Sequence, residues 1–86
     1  MAYLIEISSG PQQGERQLLT DKHVIVGRSP TCDVTIDDPY VSGNHIEFWS
    51  AGDMAFARDL NSSNGSSHNG NSINPADTLT LNSGDR

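Results

Sequence analysis

Ile46-Glu47-Phe48-Trp49-Ser50-Ala51-Gly52-Asp53-Met54-Ala55-Phe56-Ala57-Arg58-Asp59-Leu60 reads as two strands around a turn. Ile46 and Phe48 alternate with Glu47 and Trp49, the period of an extended strand with two unlike faces. Gly52-Asp53 is a hairpin turn signal, and Met54–Leu60 returns as the second strand. Phe48 and Trp49 point to opposite sides, so at least one of them is an ordinary core residue.

The same pattern extends outward in both directions. Ala2–Ile7 alternates, with Tyr3, Ile5 and Ile7 on one face. Ser8-Ser9-Gly10-Pro11 and Gly14 form a turn cluster. Arg16–Leu19 and His23–Val26 are short strand candidates, Gly27–Cys32 is a loop, and Asp33–Ile36 is a short strand. Asp37-Asp38-Pro39 ends it, because Pro lacks an N–H and restricts the residue before it. Downstream, the Asn/Ser/Gly tract Asn61–Gly70 reads as a loop and Thr78–Leu81 as a last strand. No window carries a helical period. Short strands with regularly spaced turn signals predict an all-β sandwich.

Composition narrows the function classes. The chain has 86 residues, enough for one domain, and 34% of them are hydrophobic, so the core must be thin. Five basic and eleven acidic residues give a formal net charge of −6. That balance argues against nonspecific DNA or RNA binding, which depends on Lys and Arg neutralising phosphates. It argues equally against docking on anionic lipid. Cys32, the single cysteine, cannot form an internal disulfide, which fits a reducing compartment. Met1-Ala2-Tyr3-Leu4-Ile5-Glu6-Ile7 lacks a basic flank and a long apolar run, so it reads as a first strand and not a signal peptide. No stretch approaches the ~18 apolar residues that span a bilayer. A cytoplasmic domain is the expectation.

Three polar clusters separate the strands: Gly27-Arg28, Ser42-Gly43-Asn44-His45, and Asn64-Gly65 with Asn69-Gly70. Each is rich in groups that bind an oxyanion. A guanidinium presents a planar fork of donors that fits phosphate oxygens. Ser42 and Ser63 offer hydroxyls, Asn64 a carboxamide, and Gly43 and Gly65 unhindered backbone amides. Other chemistry is poorly served. Ser42 and His45 lack the third orienting group and oxyanion hole of a nucleophilic triad, so no enzyme is expected. His23, His68 and Cys32 lack metal-ligand spacing, so neither a metal nor a cofactor is expected. Cys32 reads as a plain loop thiol and Asp37-Asp38 as a solvated turn.

Gly27-Arg28-x4-Asp33-Val34, Val41-Ser42-x2-His45, Asp59-Leu60-x-Ser62-x-Asn64-Gly65 and Asn69-Gly70 resemble, in order and spacing, the signature of the forkhead-associated (FHA) domain. Softer similarity runs from Tyr3 to Asp85 and includes Leu81-x2-Gly84-Asp85. The resemblance implies an all-β, two-sheet β-sandwich of the FHA/SMAD-like kind, with short, mostly antiparallel strands. It also implies a phosphothreonine-peptide site on loops at one end, and a role in phosphorylation-dependent signalling. Carried over by position, Arg28, Ser42, Gly43 and Ser63 would contact the phosphate. Asn64 would bond the peptide backbone, and Tyr40 would read side chains after the phosphothreonine. Gly27, His45, Gly65 and Asn69 would shape the loops.

The chain departs from the family pattern in four places. Gly43 stands where Arg, Lys or Asn is common, so one phosphate-binding side chain is missing and Asn44 becomes the candidate to swing in. Ser66 replaces the usual Thr, and His68 stands where an apolar residue is usual, which predicts a poorly buried strand there. The family continues past Gly-Asp into one or two closing strands, whereas this sequence stops at Arg86. The expectation is a single FHA-like domain over 1–86, C-terminally incomplete and part of a longer protein. An uncovered strand edge would then invite a dimer. The rival reading is a degenerate FHA scaffold that binds its partner without phosphate.

Overall fold

The computed structural model describes residues 3–86. Nine strands follow in order: β1 (Tyr3–Glu6), β2 (Arg16–Leu19), β3 (Val24–Gly27), β4 (Val34–Thr35), β5 (Ile46–Ala51), β6 (Met54–Asp59), β7 (Ser67–His68), β8 (Asn71–Ser72) and β9 (Thr78–Leu81). The main sheet runs β4-β3-β5-β6-β9, antiparallel except for β3 beside β4. Antiparallel β1–β2 forms the second layer, and β7–β8 forms a third, separate ladder.

The alternation seen in sequence sorts side chains between faces. Val24 and Val26 of β3 and Ala55 of β6 point inward and meet Leu19 of β2. Tyr3, Ile5, Ile46, Phe48 and Leu81 pack around this small nucleus. Phe48 is thus the core member of the Phe48–Trp49 pair. Trp49 lies on the other face, stacked on His23 with ring centroids 4.2 Å apart and on Phe56 at 5.7 Å. On that face Glu47, 6% exposed, sits between His23 and Arg58.

Several expected boundaries shift. The first strand spans Tyr3–Glu6, and the expected start at Ala2 lies outside the described residues. The third begins at Val24 and ends on Gly27, because Gly27 pairs with Thr35. The fourth contracts to Val34–Thr35: Asp33 turns its carboxylate to the Ile25 amide, with Oδ2 accepting at 2.9 Å. The fifth runs on to Ala51 and the sixth stops at Asp59. The tract Asn61–Gly70 contains β7, which the polar composition concealed. Its turn is Asn69-Gly70, with φ of 51° and 85°, both left-handed as a two-residue hairpin loop requires.

One edge of β1 is paired with β2; its other edge has no strand partner among the described residues. A cleft of about 660 Å³ is lined by Tyr3–Glu6 and by Ser67, His68 and Ile73, among others. Its floor is the inner face of the main sheet, including Phe48, Leu79 and Leu81.

Candidate functional site

The end of β3 and the loop before β5 are clasped by main-chain hydrogen bonds. Arg28 donates its amide to the Ser42 carbonyl at 2.9 Å, Ser29 to the Gly43 carbonyl at 3.1 Å, and His45 to the Val26 carbonyl at 3.0 Å. Such proximity needs glycine at 27, where an added β-carbon would collide with the Ser42 and Gly43 backbone. The Cys32 thiol donates to the same Gly43 carbonyl at 3.0 Å.

A second set of bonds ties this loop to the one after β6. The Ser63 amide donates to the Ser42 hydroxyl oxygen at 2.9 Å. The Asn64 carboxamide donates to the Tyr40 carbonyl at 2.8 Å. His45 spans both loops, accepting the Ser42 amide at Nδ1 (3.0 Å) and donating from Nε2 to the Gly65 carbonyl (2.9 Å).

Behind His45, the buried Asp59 carboxylate collects the Ser62 amide (3.0 Å) and the Ser62 and Ser66 hydroxyls (both 2.6 Å). Burial pushes the Asp59 carboxyl up. The Ser62 and Ser66 hydroxyls and the Ser62 amide, joined in acid by the attraction of a protonated His45, outweigh it and hold the carboxyl below its usual range.

Arg28, Tyr40, Ser42, Gly43, Ser63 and Asn64 line one shallow hollow of about 440 Å³, together with Ser29, Pro30, Pro39 and Val41. The two larger hollows, about 780 and 660 Å³, are gaps between the layers lined by many core side chains. The smallest of the three gathers the Arg28 guanidinium, the Ser42 and Ser63 hydroxyls and the Asn64 carboxamide. Arg28 is its one cationic side chain; its Nη1 makes a long contact of 3.5 Å with the Pro39 carbonyl. Two other arginines are engaged elsewhere, Arg16 with Glu6 at 3.7 Å and Arg58 with Glu47 at 2.5 Å.

The profile of the FHA domain family matches residues 24–86, the clasp and both loops included. The chain belongs to the FHA domain family. Over 82 residues it is 35% identical to the oxoglutarate dehydrogenase inhibitor of Corynebacterium jeikeium, covering 95% of this chain and 55% of that one. It is also 35% identical to the glycogen accumulation regulator GarA of Mycolicibacterium smegmatis, covering 95% and 50%. The chain therefore spans about half the length of the curated relatives it matches. A solved FHA domain, studied for phosphothreonine-dependent interactions, superposes with a TM-score of 0.81 at 28% identity, covering 98% of this chain and 81% of that one.

Within this FHA domain the remaining expected residues fall in different places. Gly27, His45 and Gly65 belong to the clasp and the loop bridge. Asn69 lies at the tip of β7–β8 and ties down the C-terminal segment. Its carboxamide donates to Asp85 Oδ1 (3.1 Å) and accepts the Arg86 amide (2.9 Å). His68 pairs with Asp85 at 2.7 Å and is half-buried, which compensates a polar residue in an apolar position. The Asn44 carboxamide accepts a contact from the Cys32 thiol at 3.4 Å, and Asn44 is not among the residues lining the hollow.

Asp59 and Ser66 received no role from the sequence. Asp at a strand end with Ser three residues on is a local side-chain-to-backbone turn signal that marks Asp59 with Ser62; Ser66, seven residues on, carries no such signal.

Proposed function

We propose that this domain binds threonine-phosphorylated peptides and so mediates phosphorylation-dependent protein–protein contacts in signalling. The observation that carries this reading is the convergence of Arg28, Ser42, Gly43, Ser63 and Asn64 on one hollow. In it Arg28 supplies the cation, Ser42 and the Gly43 amide complete the phosphate cradle, and the Ser63 hydroxyl joins at the rim. Asn64 engages the peptide backbone by exchanging its present Tyr40 carbonyl for one of the ligand's. Tyr40, 74% exposed, reads the residues that follow. The domain would act as one binding module of a longer cytoplasmic protein, in keeping with relatives about twice its length.

The domain's net charge of −6 does not forbid a near-dianionic ligand. Charges farther away than about 8 Å are largely screened at physiological salt. A guanidinium about 4 Å from phosphate contributes roughly 4 kcal/mol per unit charge at an effective dielectric of 20, before desolvation. With Arg28 alone, binding is weak and depends on that residue.

Titration of a phosphothreonine peptide into wild type and Arg28→Ala tests this. Loss of a charge-assisted bond, about 1.5–3 kcal/mol, predicts a roughly 10- to 150-fold weaker Kd for the variant. Absence of binding by the folded wild type would sink the reading and favour a scaffold that recognises its partner without phosphate.

A further inference from the structure

His45 joins the two halves of the phosphate cradle through opposite kinds of hydrogen bond. Nδ1 faces an amide donor, Ser42 N–H, and Nε2 faces an acceptor, the Gly65 carbonyl. Together they specify one tautomer: a lone pair on Nδ1 and a proton on Nε2. The latched ring is therefore neutral. An imidazolium carries protons on both nitrogens, and its Nδ1–H would point at the Ser42 N–H.

The groups around the ring leave this conflict local. From β6, the Asp59 carboxylate stands 4.0 Å from Nε2 and attracts a charged ring. The loop after β6 contributes the Ser62 and Ser66 hydroxyls, both committed to Asp59. From the end of β3, Arg28 engages the Ser42 carbonyl through its amide and turns its guanidinium to the rim. The preceding loop contributes the Cys32 thiol, bonded to the Gly43 carbonyl. Protonation keeps the Nε2–H bond to Gly65 and the attraction of Asp59. It removes the bond to Ser42.

We propose that His45 is a proton-operated latch on the Ser42 loop, holding it in the binding position when neutral and releasing it when protonated. The inference rests on the reading of the hollow as a phosphopeptide cradle and adds a regulatory input to it. Acid then weakens binding twice. The phosphate loses its second charge near pH 6, and protonation of the His45 ring at Nδ1 releases the Ser42 amide. His45 is a positioning residue here and need not touch the ligand.

Two measurements test the latch. The first uses the unliganded, ¹⁵N-labelled domain, following the Ser42 amide and both His45 ring nitrogens by NMR from pH 7.5 to 5. The expected result is an Nε2–H ring at pH 7.5 and a Ser42 amide shift with the same midpoint as the His45 titration. A proton on Nδ1 at pH 7.5, or a Ser42 amide indifferent to His45, overturns the proposal.

The second compares phosphothreonine-peptide affinity at pH 7.5 and 5.5 for wild type and His45→Asn, whose carboxamide oxygen accepts from Ser42 without titrating. Phosphate protonation alone weakens binding about fourfold over this interval. Wild type should lose at least about threefold more, and His45→Asn only the fourfold; equal losses overturn the latch. If no phosphopeptide binds, the functional reading fails while the ligand-free measurement still decides the latch. If His45→Asn does not fold, the same measurement and the wild-type excess decide it.

Discussion

A β-carbon on Gly27 would stand 2.2 Å from the carbonyl oxygen of Gly43. No side-chain rearrangement relieves this contact, because both partners are main chain. Gly27→Ala therefore pushes the Ser42–Gly43 loop off the end of β3. Overpacking of this kind costs about 1–3 kcal/mol, a Tm fall of roughly 4–24 °C in a domain of this size. Thermal melts check it, and phosphopeptide affinity should drop with the displaced loop.

Position 43 itself behaves in the opposite way. A β-carbon there meets nothing within 4 Å, and the residue is exposed. Gly43→Arg adds a second cation to the rim of the hollow without disturbing the clasp. An exposed charge pair contributes up to about 1 kcal/mol, so the Kd for a phosphothreonine peptide should tighten by up to roughly fivefold. The gain should shrink at high salt. Calorimetric titration at two ionic strengths reads both effects, and an unchanged Kd would show that the new side chain does not reach the ligand.

Asp85, beside the β7–β8 hairpin, contributes to acid stability. The His68 hydrogen bond, then those from the Asn82 amide and the Asn69 carboxamide, outweigh a small burial penalty and, with the charge of His68, bring its carboxyl down to about 2 from 3.8. A depressed folded-state value adds stability above the unfolded value, and the gain disappears as pH falls through the folded one. Wild type should thus lose stability between about pH 4 and 2 more steeply than Asp85→Asn, which starts lower and lacks this dependence. Denaturant melts across that range decide it.

On the outer face, Glu47 is buried while its cationic partner is not: the Arg58 side chain is 42% exposed. Arg58 Nη2 lies 2.5 Å from Glu47 Oε1, a short contact poorly directed for a hydrogen bond, so the attraction is chiefly Coulombic. Removing the arginine strands a buried carboxylate beside His23. Replacing the carboxylate by an amide strands nothing buried and charged. Arg58→Ala should therefore cost more than Glu47→Gln, about 1–3 kcal/mol after solvent screening of the exposed partner. Urea melts followed by Trp49 fluorescence give the comparison.

The sequence made β5 and β6 legible because one face of each is apolar and Gly52-Asp53 marks the turn. It made Arg28, Ser42 and Asn64 legible because a hydroxyl, a carboxamide and a guanidinium interrupt strands that otherwise have little use for them. β7 and β8 stayed hidden because Ser67-His68 and Asn71-Ser72 have no apolar alternation; Asn69-Gly70 between them was the usable signal, a left-handed pair at the tip of a hairpin. Asn44 and Cys32 could not be placed, since their mutual contact depends on how two loops fold over each other. The direction of the bonds at Ser42 was equally out of reach. Its hydroxyl was visible as a candidate phosphate contact, but not as the acceptor of the Ser63 amide.

The clasp between Val26–Ser29 and Ser42–His45 is built mainly from peptide groups, braced by the His45 ring and the Cys32 thiol, and it requires the absence of a side chain at Gly27. The Tyr40 side chain on the rim stands outside it, and so would any side chain placed at position 43, although the Gly43 carbonyl itself belongs to the clasp. Holding the cradle open and choosing what it holds are thus assigned to separable parts of the chain. If the hollow binds phosphopeptides as proposed, single substitutions on the rim would change its peptide preference or affinity while the frame beneath keeps its dimensions.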